Sequence, residues 1–165
     1  MLGFGDFFER VYQVVKSWRP KGKYRVEEQY QDDLYRFLRE ELNRPGPFTM
    51  VPFQRVKVKK EVHGIDIEVE GRIGIELKKD LTSKKEVDRL VGQIRTTYLK
   101  RYPYVLIVLC GRCDPAKVDD VYDEFEGYFY SDLLQPNKPV VRVVEVKREK
   151  PRKREDLFGP FGPLL

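Results

Sequence analysis

Apolar residues recur every three or four positions at the start of the chain, at Phe4, Phe7, Val11, Val14, Val15 and Trp18, with Asp6, Glu9, Arg10, Gln13 and Lys16 between them. This spacing predicts an amphipathic helix over residues 4 to 19, broken by Pro20 to Lys23. Its polar face is not strongly basic, so packing on the domain is favoured over binding to a membrane surface. A second helix is expected from about Tyr24 to Leu42, with Tyr30, Leu34, Phe37, Leu38 and Leu42 on its apolar face, stopping before Asn43-Arg44-Pro45-Gly46-Pro47.

The period then changes from helical to alternating. Val56 and Val58, then Ile65, Ile67 and Val69, then Ile73, Ile75 and Leu77 predict three strands between Met50 and Leu77. Helical spacing returns from about Ser83 to Arg101 through Val87, Leu90, Val91, Ile94 and Tyr98, with Ser83 or Thr82 as the N-cap. The unbroken apolar run at residues 104 to 111 suits a strand buried on both faces. Asp114-Pro115 opens a helix to about Tyr128, and Val140 to Val146 supply a last strand. The expected fold is α/β, with a mixed central sheet flanked by helices and an extra helix at the start. Residues 1 to 20 are read as that helix, 21 to 146 as the functional core, and 147 to 165 as a basic, then Gly/Pro-rich arm.

Within the hairpin, the pattern fixes a register. Burying Ile65, Ile67 and Val69 together with Ile73, Ile75 and Leu77 requires that Val69 face Ile73 and Ile67 face Ile75, leaving Glu70-Gly71-Arg72 as the turn. The same register sets Asp66 opposite Glu76 and Glu68 opposite Gly74, with Lys78 following Glu76 on the polar face. Two carboxylates at cross-strand distance repel unless a cation lies between them, and oxygen ligands suit a hard ion such as Mg²⁺ or Mn²⁺. A bound cation of that kind with an adjacent lysine is equipped to hydrolyse a phosphodiester. The plain alternative is a strand face solvated by paired charges.

Asp66, a short spacer and Glu76-Leu77-Lys78 resemble the PD-(D/E)xK motif of the restriction-endonuclease-like nucleases, with Ile65 where the proline stands. The element order resembles that superfamily's αβββαβ core from about Tyr24 to Gly111. The resemblance implies Asp66, Glu76 and the Leu77 carbonyl as metal ligands, Lys78 as the water-orienting or charge-stabilising group, and a helical glutamate completing the metal shell. Glu27 is chosen for that place because it shares a helix face with Tyr30 and Leu34, whereas Glu28 falls with Asp32 and Tyr35. Gln93 resembles the glutamine of the Q-x-x-x-Y branches and is counted as a catalytic residue. Tyr98 lies five residues on rather than four and is read as core. A weaker similarity, to archaeal Holliday-junction resolvases, rests on size, the early helical Glu and the central E-x-K.

Composition adds a partner. Lys plus Arg total 32 against 27 acids, a net charge of +5, which favours an anionic partner such as DNA. Residues 147 to 154 hold six basic residues and one acid, while Asp114 to Asp132 hold seven acids and one lysine. Lys79, Lys84 and Lys85 are the expected phosphate contacts, and a homodimer acting on two strands is the expected assembly. The Gly/Pro-rich end is a candidate site for a protein partner. A charged fraction of 36% with only two asparagines, Asn43 and Asn137, is a bias of heat-adapted proteins. The start lacks the basic-then-apolar pattern of a secretory signal and no apolar run has membrane length, so a cytoplasmic location is expected and no membrane partner.

Two other functions compete. One is a DNA-binding protein of the same fold with weak or lost catalysis. The other is thiol–disulfide exchange by Cys110 and Cys113, whose C-x-x-C spacing sits between a strand and a helix. A zinc site is disfavoured, because only Cys110, Cys113 and His63 are soft ligands. His63 reaches the acids only if Gly64 makes a bulge.

Overall fold

The first apolar periodicity forms α1 (Phe4–Ser17), which buries Phe8, Val11 and Val15. The second forms α2 (Glu27–Glu41), which buries Tyr30, Leu34 and Leu38. Between them Asp33 organises the break: it accepts hydrogen bonds from the Trp18 indole at 3.2 Å, the Lys21 backbone N–H at 2.8 Å and the Tyr24 hydroxyl at 2.6 Å. A buried carboxylate with three donors is satisfied, and it fixes where α2 begins. The structure is a computed structural model that describes residues 3–46 and 54–146. The expected arm at 147–165 and the start of the first expected strand lie outside those residues.

The alternating segment forms β1 (Val58–Val62), β2 (Ile65–Val69) and β3 (Ile73–Lys79). Helix α3 (Lys84–Gln93) follows, capped by Ser83, whose side chain accepts from the Glu86 N–H. It runs on through a π-helical turn (Ile94–Tyr98) into α4 (Leu99–Arg101). Next come β4 (Tyr104–Cys110), α5 (Pro115–Phe125) with a 3₁₀ turn (Glu126–Tyr128), and β5 (Val140–Glu145). The fold is α/β: one five-stranded mixed sheet, ordered β1-β2-β3-β4-β5 and flanked by helices. The first three strands are antiparallel neighbours and the last three are parallel. Among the described residues no helix is long and apolar enough to cross a membrane.

The sheet divides the core into two layers. On one side Ile67, Val69, Ile73, Ile75, Leu77, Leu106 and Val108 pack against α1 and α2. On the other, Val105, Ile107, Leu109, Val141 and Val143 pack against Val87, Leu90 and Ile94 of the α3 segment and Val118, Val121 and Phe125 of α5. The hairpin register is the expected one from Ile67 to Val69, with Val69↔Ile73, Glu68↔Gly74 and Ile67↔Ile75, but among the described residues the expected pairing of Asp66 with Glu76 is not formed. Gly71 (φ +68°) and Glu70 (φ +54°) turn the chain between the strands. One expectation is corrected: Ile65 does not share a face with Ile67 and Val69 but packs in the opposite layer, beside Tyr102 and Leu90. The cause lies in β2, whose regular pairing with β3 begins only at Ile67 and does not include Ile65 and Asp66.

Candidate active site

The departure of β2 from β3 is what builds the site. The next N–H of β3 that faces β2 belongs to Leu77, and it donates to Asp66 Oδ2 at 2.8 Å. A side-chain carboxylate thus takes the place of a strand carbonyl. Within a strand the N–H and C=O of one residue point the same way, so the Leu77 carbonyl faces the same opening.

Glu76 lies one residue before, 8% exposed, and its Oε2 is buried with no hydrogen-bond partner. An unpaired buried carboxylate oxygen costs several kcal/mol in the ionised form, by order of magnitude, unless something positive meets it. The electrostatics agree. Burial, followed by the Asp66 and Glu27 carboxylates, pushes Glu76 up to about 8 against the pull of the Tyr98 hydroxyl and the Asp66 backbone N–H. Burial also raises Asp66 to about 6, reinforced by Glu27 and Glu61 and opposed by the Leu77 N–H and the Lys78 ammonium. Two acids held near each other, each resisting ionisation, are poised for a cation.

Helix α2 supplies the other wall. Glu27 reaches β3, accepting from the Lys79 backbone N–H at 2.8 Å, and its Oε2 lies 3.9 Å from Lys78 Nζ. Glu28, one position on, is exposed. One helical turn after Glu27 stands Gln31, 8% exposed, which donates from Nε2 to Asp66 Oδ1 at 2.8 Å. Gln31 is the site residue that the sequence reading missed. Its signal was available, since it follows Glu27 by four positions and so shares its helix face, yet a glutamine followed by Asp32 and Asp33 in an acidic helix reads as surface.

The structure brings Asp66, Glu76, Lys78 and Glu27 to one place. Gln93 arrives indirectly: its Nε2 donates to the Tyr98 hydroxyl, which donates to the Gly64 carbonyl at 2.6 Å and lies beside Glu76. The five-residue interval that spoiled the Q-x-x-x-Y match is met by the π-helical turn, in which residues five apart become neighbours. Tyr98 is therefore core, 1% exposed, and also a contact of the site. Its bond to Gly64 anchors the β1–β2 turn, where His63 stands exposed with φ +56°.

The lysines divide differently from expectation. The Lys79 ammonium is bonded to Asp80 beside it, and Lys84 pairs with Asp88 at 3.0 Å. Both cations are engaged within the protein, whereas Lys85 is exposed and makes no ion pair among the described residues. Cys110 is buried and Cys113 half-buried, and burial drives the Cys110 thiol well above its ordinary range. That environment suppresses the thiolate on which exchange chemistry depends.

Among the described residues no three His, Cys, Asp or Glu side chains form a ready-made metal cage. Two carboxylates and a carbonyl fit an ion that keeps part of its own water shell, as Mg²⁺ does at phosphate-handling sites. The orphaned Glu76 oxygen fits it as well. The chain matches no protein-family model, no curated protein and no solved structure.

Proposed function

We propose that this protein is a metal-dependent nuclease of the restriction-endonuclease-like kind, hydrolysing DNA phosphodiesters with Mg²⁺ or Mn²⁺. One observation carries the reading: Glu76 Oε2 is buried without a partner beside Asp66, in an opening also faced by the Leu77 carbonyl and bordered by Lys78. Asp66, Glu76 and the Leu77 carbonyl would hold the ion. When bound, it would polarise a phosphoryl oxygen and acidify a water.

The chain's own residues do the rest. Gln31 and the Leu77 N–H occupy one lone-pair direction on each Asp66 oxygen, which fixes the carboxylate plane without consuming it. Lys78, held loosely by Glu27 at 3.9 Å, is a cation able to turn toward a phosphate oxygen and offset the charge that develops there. Tyr98, locked by Gln93 and Gly64, closes the site on the α3 side and keeps Glu76 dry.

The test is a cleavage screen over linear duplex, four-way junctions, flaps and RNA, with Mg²⁺, Mn²⁺ and chelator. Metal-dependent cleavage of DNA by wild type, lost by about 10²-fold to 10³-fold in Glu76→Ala, is the expected result. DNA binding without cleavage in any metal would convert the reading to a catalytically lost relative. Absence of both would end it.

A further inference from the structure

Helix α3 carries an outward crest that neither the core nor the carboxylate site uses. Lys85, Arg89, Gly92 and Thr96 follow one another at intervals of four, three and four residues, so they lie on one helix face. Lys85, Arg89 and Thr96 are exposed, while Val87, Leu90 and Val91 bury the opposite side. On one flank of this crest stand Glu86, whose carboxylate feels Lys78, and Gln93, which leads through Tyr98 to Glu76. On the other flank Lys84 pairs with Asp88, and Arg95 pairs with Glu124 of α5. The cations of that flank are matched. Lys85 and Arg89 are not: neither makes an ion pair among the described residues, and the neighbouring acids are engaged elsewhere, Glu86 in the Ser83 cap and by the Thr82 N–H, Asp88 by Lys84.

Gly92 is the second observation. A Cβ built there would meet nothing within 4 Å, and its backbone is not in the left-handed region. Neither packing nor conformation asks for a glycine, which weakens a helix relative to alanine. The remaining use of a missing side chain is close approach of a ligand to the backbone. The Gly92 carbonyl is already occupied, accepting from Thr96 Oγ1 at 2.7 Å, so it does not confront an incoming anion with an unsatisfied acceptor. Two unpaired cations, a bare stretch of backbone and a flank that leads to the carboxylates are complementary to a polyanion lying along the helix.

We infer that this crest binds the DNA sugar–phosphate backbone beyond the scissile phosphate, with Lys85 and Arg89 gripping successive phosphates on the N-terminal side of the closest approach at Gly92. The inference rests on the nuclease reading and extends it from a bond to a path. Each phosphate neutralised releases counterions, so the contacts govern affinity and its salt dependence rather than sequence choice.

The experiment measures binding of a labelled DNA duplex by anisotropy against salt, in the Glu76→Gln background with Mg²⁺, alongside single-turnover cleavage with Glu76 intact. Lys85→Ala combined with Arg89→Ala is expected to weaken binding by about 10-fold or more and to flatten the log–log salt slope by about 2. Gly92→Gln is expected to weaken binding while the thermal midpoint stays or rises, which separates a steric block from a folding defect. Lys117→Ala, which removes a cation already paired with Asp120 on α5, changes neither. If the parent binds and cleaves DNA but the crest variants match it in affinity and slope, the crest inference is overturned and the nuclease reading survives. If wild type neither binds nor cleaves DNA, both fall.

Discussion

In β4 six of seven residues are buried, whereas in β1 half-buried and exposed residues alternate along the whole strand. β3 belongs to both regimes, antiparallel to β2 and parallel to β4. The parallel half is covered by helices on both faces, so nearly every position is apolar and the strand does nothing but hold the layers together. On the antiparallel side the ladder between β2 and β3 ends at Ile67↔Ile75, and where β2 leaves it Asp66 comes beside Glu76, with Lys78 at the edge. On the nuclease proposal, stability and chemistry fall to different halves of one sheet. Substitutions in the two halves should fail in different ways.

The largest expected effect is on chemistry. Asp66→Asn keeps the shape and removes the negative charge: its Oδ1 can still accept from the Leu77 N–H, and the Gln31 amide can turn its oxygen to the new NH2. Cleavage should fall by about 10²-fold to 10³-fold, with the thermal midpoint unchanged or raised, since the lost charge was poorly solvated. Cleavage within threefold of wild type would break the assignment of chemistry to the hairpin half. Leu106→Ala is the counterpart in the parallel half. Leu106 is 0% exposed in the layer under α1 and α2, so truncation should cost about 2–5 kcal/mol in denaturant unfolding while folded protein at low temperature cleaves normally.

The third expectation is electrostatic and uses Glu76 in chelator. Its carboxyl is raised from 4.5 to about 8 in the folded protein, so between these values the native state binds a proton that the unfolded chain has released. Stability therefore falls as pH rises through that window, and it is unaffected below the unfolded value. Glu76→Gln abolishes the titration. The variant should match wild type near pH 4.5 and exceed it by on the order of 3 kcal/mol at pH 8, with added Mg²⁺ narrowing the gap by stabilising wild type alone. A gap that is constant with pH would show that Glu76 is not desolvated as described.

Much of this division was legible in the chain. Alternation in Ile67, Val69, Ile73 and Ile75 fixed the three-residue turn, because any other register exposes half of those side chains. The unbroken run in β4 announced a strand buried on both faces. What could not be read was set by tertiary contacts. Ile65 alternates in phase with Ile67 in the sequence yet packs in the other layer, because period two holds only while β2 stays on its ladder. The π-helical turn is invisible to a helical wheel drawn at one fixed period, and it alone makes Gln93 and Tyr98 neighbours. Lys79 and Lys84 read as free cations because charge in a sequence carries no partner. Asp80 and Asp88 claim them in the fold.

The smallest expected effect lies where the two halves meet. Gly74 pairs with Glu68 on β2 and with Val105 on β4, and a Cβ there would lie 2.4 Å from Ile65 Cδ1 and 2.8 Å from Tyr102 Cδ2. Ile65 Cδ1 is the end of a flexible chain and can swing. Tyr102 cannot, because it is 1% exposed and its hydroxyl is bonded to the buried Glu68 carboxylate. Gly74→Ala should therefore cost about 1–2 kcal/mol despite the better strand propensity of alanine. Since Ile65 precedes Asp66, its displacement should also weaken Mg²⁺-dependent cleavage by a few fold, which Leu106→Ala does not do. Tyr102→Leu also costs stability through the loss of its bond to Glu68, but combined with Gly74→Ala the total should be less than the sum of the two costs, a coupling that a double-mutant cycle reads directly. If the two costs simply add, Tyr102 is not what forbids a side chain at position 74, and the close approach of β3 to the α3 layer does not help set the position of Asp66.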